Sequence, residues 1–216
     1  ERRIRPDRIK RLIQSGDLYA DHHANAVFVL RSRDNAPVGA ELRGSGPRPW
    51  RGMAPGSRKD LGYFSVREAR VDGIILCESA IDAISCSLIH PRRWCLSTAG
   101  ARPAPAWLPA IISHGLPVYC GFDADSTGDD MADAMIERYP AIKRLRPPTH
   151  DWNDSRTLTG RPYHPSTRLP EKINITIYQH PILQRPLPEV RSLLSQPIHN
   201  PKSRTRWKQW RTPYHQ

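Results

Sequence analysis

The stretch Val118-Tyr119-Cys120-Gly121-Phe122-Asp123-Ala124-Asp125-Ser126-Thr127-Gly128-Asp129-Asp130 is an apolar run that stops at two carboxylates spaced i, i+2. Five aspartates (Asp123, Asp125, Asp129, Asp130 and Asp133) fall within eleven residues of a chain whose formal net charge is +12. Crowded like charges repel unless a cation sits among them. Mg2+ takes oxygen ligands and is commonly held by one or two carboxylates plus water and phosphate, so a short acidic loop after a buried strand suffices. Two readings stand for Asp123 and Asp125: a divalent-metal loop, or the solvated start of an acidic helix. Asp129 and Asp130 read as first-turn residues at the positive end of a helix dipole, with Ser126 or Thr127 as the cap.

On both sides of this stretch, strand and helix patterns alternate from Asp72 onward. Strands are expected at Gly73 to Cys77, Trp94 to Ser97, Pro117 to Phe122 and Ile142 to Leu145, with helices at Ser79 to His90, Pro105 to His114 and Gly128 to Tyr139. Such alternation predicts an α/β domain, a parallel sheet with helices on both faces. Ligands gather beyond the carboxyl ends of such strands. Asp123 and Asp125 stand at one such end and Glu78 at another, with Asp82 one helical turn after Glu78. His150-Asp151-Trp152-Asn153-Asp154 adds a third acidic group, or a capped turn.

The residues before Asp72 predict a smaller α+β region. A helix is expected over Pro6 to Gln14, ended by Gly16, then a hairpin of Ala26 to Arg31 and Val38 to Leu42. Arg43 to Asp60, rich in Gly, Pro and cations, reads as a mobile basic loop, and Gly62 to Val66 as a short strand. After about Gly160 the pattern is lost. Residues 161 to 216 hold nine prolines, ten Lys or Arg and only Glu171 and Glu189 as acids, a composition expected to stay disordered.

Thirty-three Lys and Arg against 21 Asp and Glu point to an anionic partner, nucleic acid first. No apolar run is long enough to span a bilayer and no signal-peptide core stands at the N-terminus, so no membrane role is expected. Cys77, Cys86, Cys95 and Cys120 form no C-x-x-C pair; they read as buried thiols of a cytoplasmic protein rather than zinc ligands or disulfides.

Together, Glu78-Ser79-Ala80-Ile81-Asp82, Phe122-Asp123-Ala124-Asp125-Ser126-Thr127-Gly128 and His150-Asp151-Trp152-Asn153-Asp154 resemble the three acidic motifs of the Toprim domain. That module serves bacterial replicative primases, type IA and type II topoisomerases and some nucleases. Histidine stands where primase-like members carry a lysine, and Asn153 where a second acid is frequent. Ser97-Thr98-Ala99-Gly100-Ala101 is similar to the small-residue loop by which primases approach substrate. Leu18-Tyr19, Asn25-Ala26-Val27-Phe28 and Gly39-Ala40-Glu41-Leu42-Arg43-Gly44 resemble the domain of unknown function that precedes Toprim modules in primase-like proteins of plasmids and mobile elements.

The resemblance implies three regions: 1–67, a Toprim-associated α+β segment; 68–158, a Toprim-like catalytic domain; and 159–216, a Pro-rich basic tail. It implies Mg2+-dependent (or Mn2+-dependent) phosphoryl or nucleotidyl transfer on nucleic acid, as in primer synthesis for DNA replication of a mobile element. A Toprim-type nicking enzyme and a catalytically weak DNA-binding module are the alternatives. Glu78, Asp123 and Asp125 would be catalytic, with Asp123, Asp125, Asp82 and Asp151 as metal ligands. Single-stranded DNA and nucleotides would be the partners. Two readings stand for the cations Arg43, Arg48, Arg51, Arg58 and Lys59: they line the nucleic-acid path, or they form a solvated basic loop. In the tail, Arg206, Trp207 and Trp210 belong to a run in which cations alternate with indoles able to stack on unpaired bases. The sequence leaves the oligomeric state open.

Overall fold

The computed structural model describes residues 4–46 and 50–158. Helix α1 (Pro6–Gln14) starts on a proline and ends where Gly16 turns left-handed (φ 73°), the backbone N–H groups of Gly16 and Asp17 donating to Ile13 and Leu12. Four antiparallel strands follow in spatial order: β1 (Leu18–Ala20), β2 (Ala26–Arg31), β3 (Pro37–Arg43) and β4 (Arg51–Met53). The expected basic loop is therefore partly a strand, with β4 pairing Arg51 opposite Arg43. Arg51-Gly52-Met53 is too short to show an alternating apolar pattern, so nothing in the sequence marks it.

The second sheet runs β5 (Phe64–Val66), β7 (Arg93–Ser97), β6 (Gly73–Cys77), β8 (Val118–Cys120), β9 (Lys143–Arg144). Strands β6 to β9 are parallel, while β5 joins β7 antiparallel, so the sheet is mixed. The expected boundary after residue 67 follows directly on β5, which is hydrogen-bonded into this second sheet. The helices are α2 (Ala80–Ile89), α3 (Leu108–Ile112), α4 (Ser126–Arg138) and α5 (Trp152–Leu158).

Alternation along β6 sorts the core into two faces. Ile74 and Leu76 join Leu108 and Ile111 of α3 and Ala132 and Met135 of α4. Ile75 and Cys77 join Ile81 and Ile84 of α2, Trp152 of α5, and Leu12, Phe28 and Leu30 of the first sheet and its helix. The first sheet thus covers one face of the second rather than standing apart. Phe28 meets Phe64 edge to face at 5.6 Å, and Arg31 and Tyr63 exchange backbone hydrogen bonds of 2.9 and 3.1 Å. All four cysteines are buried and unbridged; burial pushes the Cys77 and Cys120 thiols up to about 12.

Because one core spans both sheets, Phe64→Ala should remove about 3–5 kcal/mol of stability. Urea unfolding followed at Trp152 of α5, which packs on the second sheet, and at a probe in β2 should give one coincident transition. Two separate midpoints would show that the sheets fold independently.

Candidate active site

Each expected carboxylate stands at a strand end or a helix start on the carboxyl edge of the second sheet. Glu78 follows β6, and its Oε1 accepts the Asp123 backbone N–H at 3.0 Å. Asp82 lies in the first turn of α2, 7% exposed, where Ser79 caps the helix by accepting the Asp82 N–H and donates to Asp82 Oδ2 at 2.5 Å. Asp123 follows β8. Asp125, rather than Ser126 or Thr127, is the cap of α4: its Oδ1 accepts the Gly128 N–H at 2.8 Å, and its Oδ2 is 3.5 Å from His150 Nε2. Asp151 accepts the Asp154 N–H at 2.6 Å at the start of α5, so the turn reading and the acidic-site reading apply to one residue.

The loop carrying Asp123 is held from two sides. Arg144 of β9 donates to the carbonyls of Cys120, Phe122 and Asp123, and Ala124 donates to the His150 carbonyl at 2.7 Å. Gly128 is required here, since a Cβ on it would collide with the Asp123 carbonyl. Trp152, buried under α2, donates its Nε1–H to the Gly121 carbonyl at 2.7 Å. Asp129 is withdrawn from the cluster: Arg146 and Arg144 hold it, lowering its pKa to about 2.

Electrostatics bear out the crowding. Asp123 is pushed up to about 8 by burial and then by Asp82, Glu78, Asp151 and Asp125. Burial also raises Asp82, to about 6, and raises Glu78, with Asp125 adding to the latter. Arg43 and Arg51, opposite each other on β3 and β4, act in the other direction, Arg43 on Asp82 and Arg51 on Glu78. Among the expected nucleic-acid cations, they are the two that act on Asp82 and Glu78. Lys59 donates to the Ala99 carbonyl at 2.9 Å, and Arg58 forks onto Asp60 instead. Arg48, Arg206, Trp207 and Trp210 lie outside the described residues.

Among the described residues, no three Asp, Glu, His or Cys side chains form a ready-made metal cage. The donor set nevertheless suits a hard cation. Asp123 Oδ1 is buried without a hydrogen-bond partner, and a buried carboxylate oxygen left unpaired costs free energy that a cation offsets. Mg2+ needs only one or two such oxygens, water and phosphate completing its shell.

Glu41 escaped the sequence reading as a functional residue. It lies in β3 and is 6% exposed. Its carboxylate accepts the Ser97 hydroxyl and the Ala80 backbone N–H (3.1 Å), and burial raises its pKa. Ser97 Oγ in turn accepts the N–H of Ala99, an alanine at φ 53°, so one side chain from the first sheet fixes both the start of α2 and the strained loop after β7. The only signal was a glutamate inside a strand pattern, which solvent exposure would equally explain. Glu41→Ala should lower stability by about 1–3 kcal/mol, leaving a buried hydroxyl and N–H unpaired. Glu41→Gln, which keeps one acceptor, should lose less. Chemical denaturation of both variants at one pH measures the difference.

The comparisons with known proteins agree with this geometry. A family model described as Toprim-like matches residues 75–155, and one described as a protein of unknown function (DUF3991) matches residues 1–69. No curated protein matches the sequence. Among solved structures, the primase fragment of the bacteriophage T7 primase-helicase protein superposes with a TM-score of 0.51 at 16% identity, over 67% of this chain and 64% of that one. The primase domains bound to an RNA/DNA hybrid and dTTP, in a bacteriophage T7 lagging-strand polymerase assembly, give 0.51 and 16% over 67% and 78%. At such identity the likeness is one of fold, and the chain spans 64% of the length of the phage primase fragment. Along the chain, then, a match to DUF3991 is followed by a match to a Toprim-like domain.

Proposed function

We propose that this chain carries out Mg2+-dependent nucleotidyl transfer on nucleic acid, in the manner of a primase. The observation that carries the reading is the unpartnered Asp123 Oδ1, buried among carboxylates of which Asp82 feels the charge of Arg43 and Glu78 that of Arg51. The primase-like fold supports the choice of reaction, and Mn2+ would serve as Mg2+ does.

Asp123 and Asp125 would hold the ion, with Asp82 and Asp151 next to them. Bound there, Mg2+ would neutralise charge on phosphoryl oxygens and align the attacking oxygen. Glu78 would take the proton of the attacking hydroxyl. One of its oxygens is committed to the Asp123 N–H, and its raised pKa keeps the carboxylate basic enough for the task. Arg43 and Arg51 would bind the phosphates of the incoming nucleotide or the template across from the carboxylates. The Ser97 to Ala101 loop, shaped by Glu41 and Lys59, presents small residues beside them and allows close approach.

Incubation with single-stranded DNA, labelled nucleotides and Mg2+ should yield short products. Nicked template would favour the strand-cleaving reading, and binding without turnover the non-catalytic one. Glu78→Gln should slow turnover about 10²–10⁴-fold, the usual weight of a positioned proton acceptor. Asp123→Ala/Asp125→Ala should abolish metal-dependent turnover and leave DNA binding intact or tighter. Full activity of that double variant in Mg2+ would sink the reading.

The pH dependence has a definite sign. The folded pKa of Asp123, about 8, stands above its ordinary 3.8, so between those values the folded protein binds more protons than the unfolded chain. Stability without metal should therefore fall as pH rises from about 4 to about 8. Asp123→Asn should flatten that fall, and added Mg2+ should release protons from the wild type below pH 8. Thermal melts in EDTA across this range, with and without Mg2+, test both.

A further inference from the structure

A second constellation lies away from the carboxylates. A cleft of about 1030 Å3 opens between α1, the β2–β3 turn, the end of β5 and α3. Trp94, the second residue of β7, lines it, as do Val66 to Glu68, which run antiparallel to the start of β7. The cleft therefore sits toward the amino end of the parallel strands. None of Glu78, Asp82, Asp123, Asp125 and Asp151 lines it, while Tyr63 and Ser65, beside the carboxyl half of β7, do.

Five arginines line this cleft, Arg8, Arg11, Arg31, Arg33 and Arg67, against only Asp17 and Glu68. Arg31 is paired with Asp17 at 2.6 Å, and Arg8 and Arg11 share Glu68 at 2.5 and 3.7 Å. Among the described residues, Arg33 and Arg67 form no ion pair. Arg67 is held instead by an aromatic ring, its guanidinium carbon 5.2 Å from the centre of Trp94, which fixes the fork while leaving its N–H donors for an anion.

Arg8 gives an independent sign of a missing partner. It is 6% exposed, and its Nε–H is buried with no acceptor. A buried guanidinium with an unpaired donor, beside four other cations, carries a desolvation cost that a bound anion would offset. The aromatic floor, Tyr63 with Trp94 and Trp107 at 6.1 and 4.7 Å, suits a ligand with apolar rings between its charges. The volume stands at the upper end of the range of ligand clefts, about 300–1,000 Å3.

We infer that this arginine cleft is a second phosphate-binding site, taking nucleotide phosphates apart from the carboxylate edge, and that a single-stranded nucleic acid is their source. The inference rests on the proposed function only in naming nucleic acid; the site itself stands on the arginines.

The test is fluorescence anisotropy of labelled oligothymidylate on the full chain in EDTA over a salt series, with ATP as a second, monomeric probe. Arg33→Glu/Arg67→Glu changes two exposed side chains, and circular dichroism checks the fold. The control Arg138→Glu/Lys143→Glu removes the same charge at the opposite, β9 edge of the sheet. The cleft pair should weaken oligonucleotide binding and flatten the log–log salt slope by about 0.7 for each phosphate no longer neutralised, about 1.4 together. The control should leave the slope near wild type. Loss of ATP binding alone would keep the phosphate site and make free nucleotide its source. Equal effects of the two pairs, or no effect of the cleft pair on either probe, would overturn the proposal. Asp123→Ala/Asp125→Ala in the same assay should keep the cleft contribution, so failure of the catalytic reading and failure of this one remain separate.

Discussion

Five carboxylates at one sheet edge repel one another, and much of the surrounding structure compensates for that repulsion. The compensation is local and made largely of donors. The Asp123 N–H supports Glu78, Ser79 supports Asp82, the Gly128 N–H supports Asp125, and Arg144 ties the carbonyls of the Asp123 loop to β9. Among the described residues, Asp123 Oδ1 is the fully buried oxygen of this set that is left without a protein donor. Donors to the other carboxylates fix their geometry, whereas an unpaired oxygen keeps its affinity for a cation; the arrangement is rigid everywhere except where a ligand has to enter.

The first sheet belongs to that compensation. It shares a core with the face of the second sheet that carries α2 and α5, and from this platform β3 sends Glu41 and Arg43 toward the site. Alternation puts these two on the same side of the strand. Glu41 grips the start of α2 and the loop after β7, while Arg43, with Arg51 across from it, lowers the electrostatic cost of the carboxylates. The residues that match DUF3991 are, in these terms, the part of this chain that shapes the carboxylate edge from outside the sheet.

Legibility in the sequence followed how far each feature depends on distant partners. Helix α1 and strand β2 were readable to the residue, because Pro6, Gly16 and a continuous apolar run define them locally. The carboxylates were readable because each sits at a strand end or helix start, and those ends are marked by abrupt loss of hydrophobicity. Strand β4 was not, since three residues of Arg-Gly-Met owe their conformation to pairing with β3 alone. The cap of α4 went to Asp125 and not to Ser126 or Thr127 because Gly128 lets the helix start approach the Asp123 carbonyl, a close packing no local preference reveals. Glu41 and Arg144 were hidden for a related reason: their partners lie 39 and 56 residues away for Glu41, and 15 to 24 for Arg144.

The same logic separates the two charged regions of the molecule. At the carboxyl ends of the parallel strands the surplus is negative and calls for a cation; toward their amino ends, around Trp94, it is positive and calls for an anion. Strand β7 connects them directly, with Trp94 near one end and Ser97, bound to Glu41, at the other. Neither surplus helps the bare fold, since each raises its energy by self-repulsion. A polyanion bound in the cleft and reaching the metal-bearing edge would neutralise one surplus and, through the ion, the other. On the proposed reading, both charge clusters would answer to a single kind of substrate, a strand of nucleic acid.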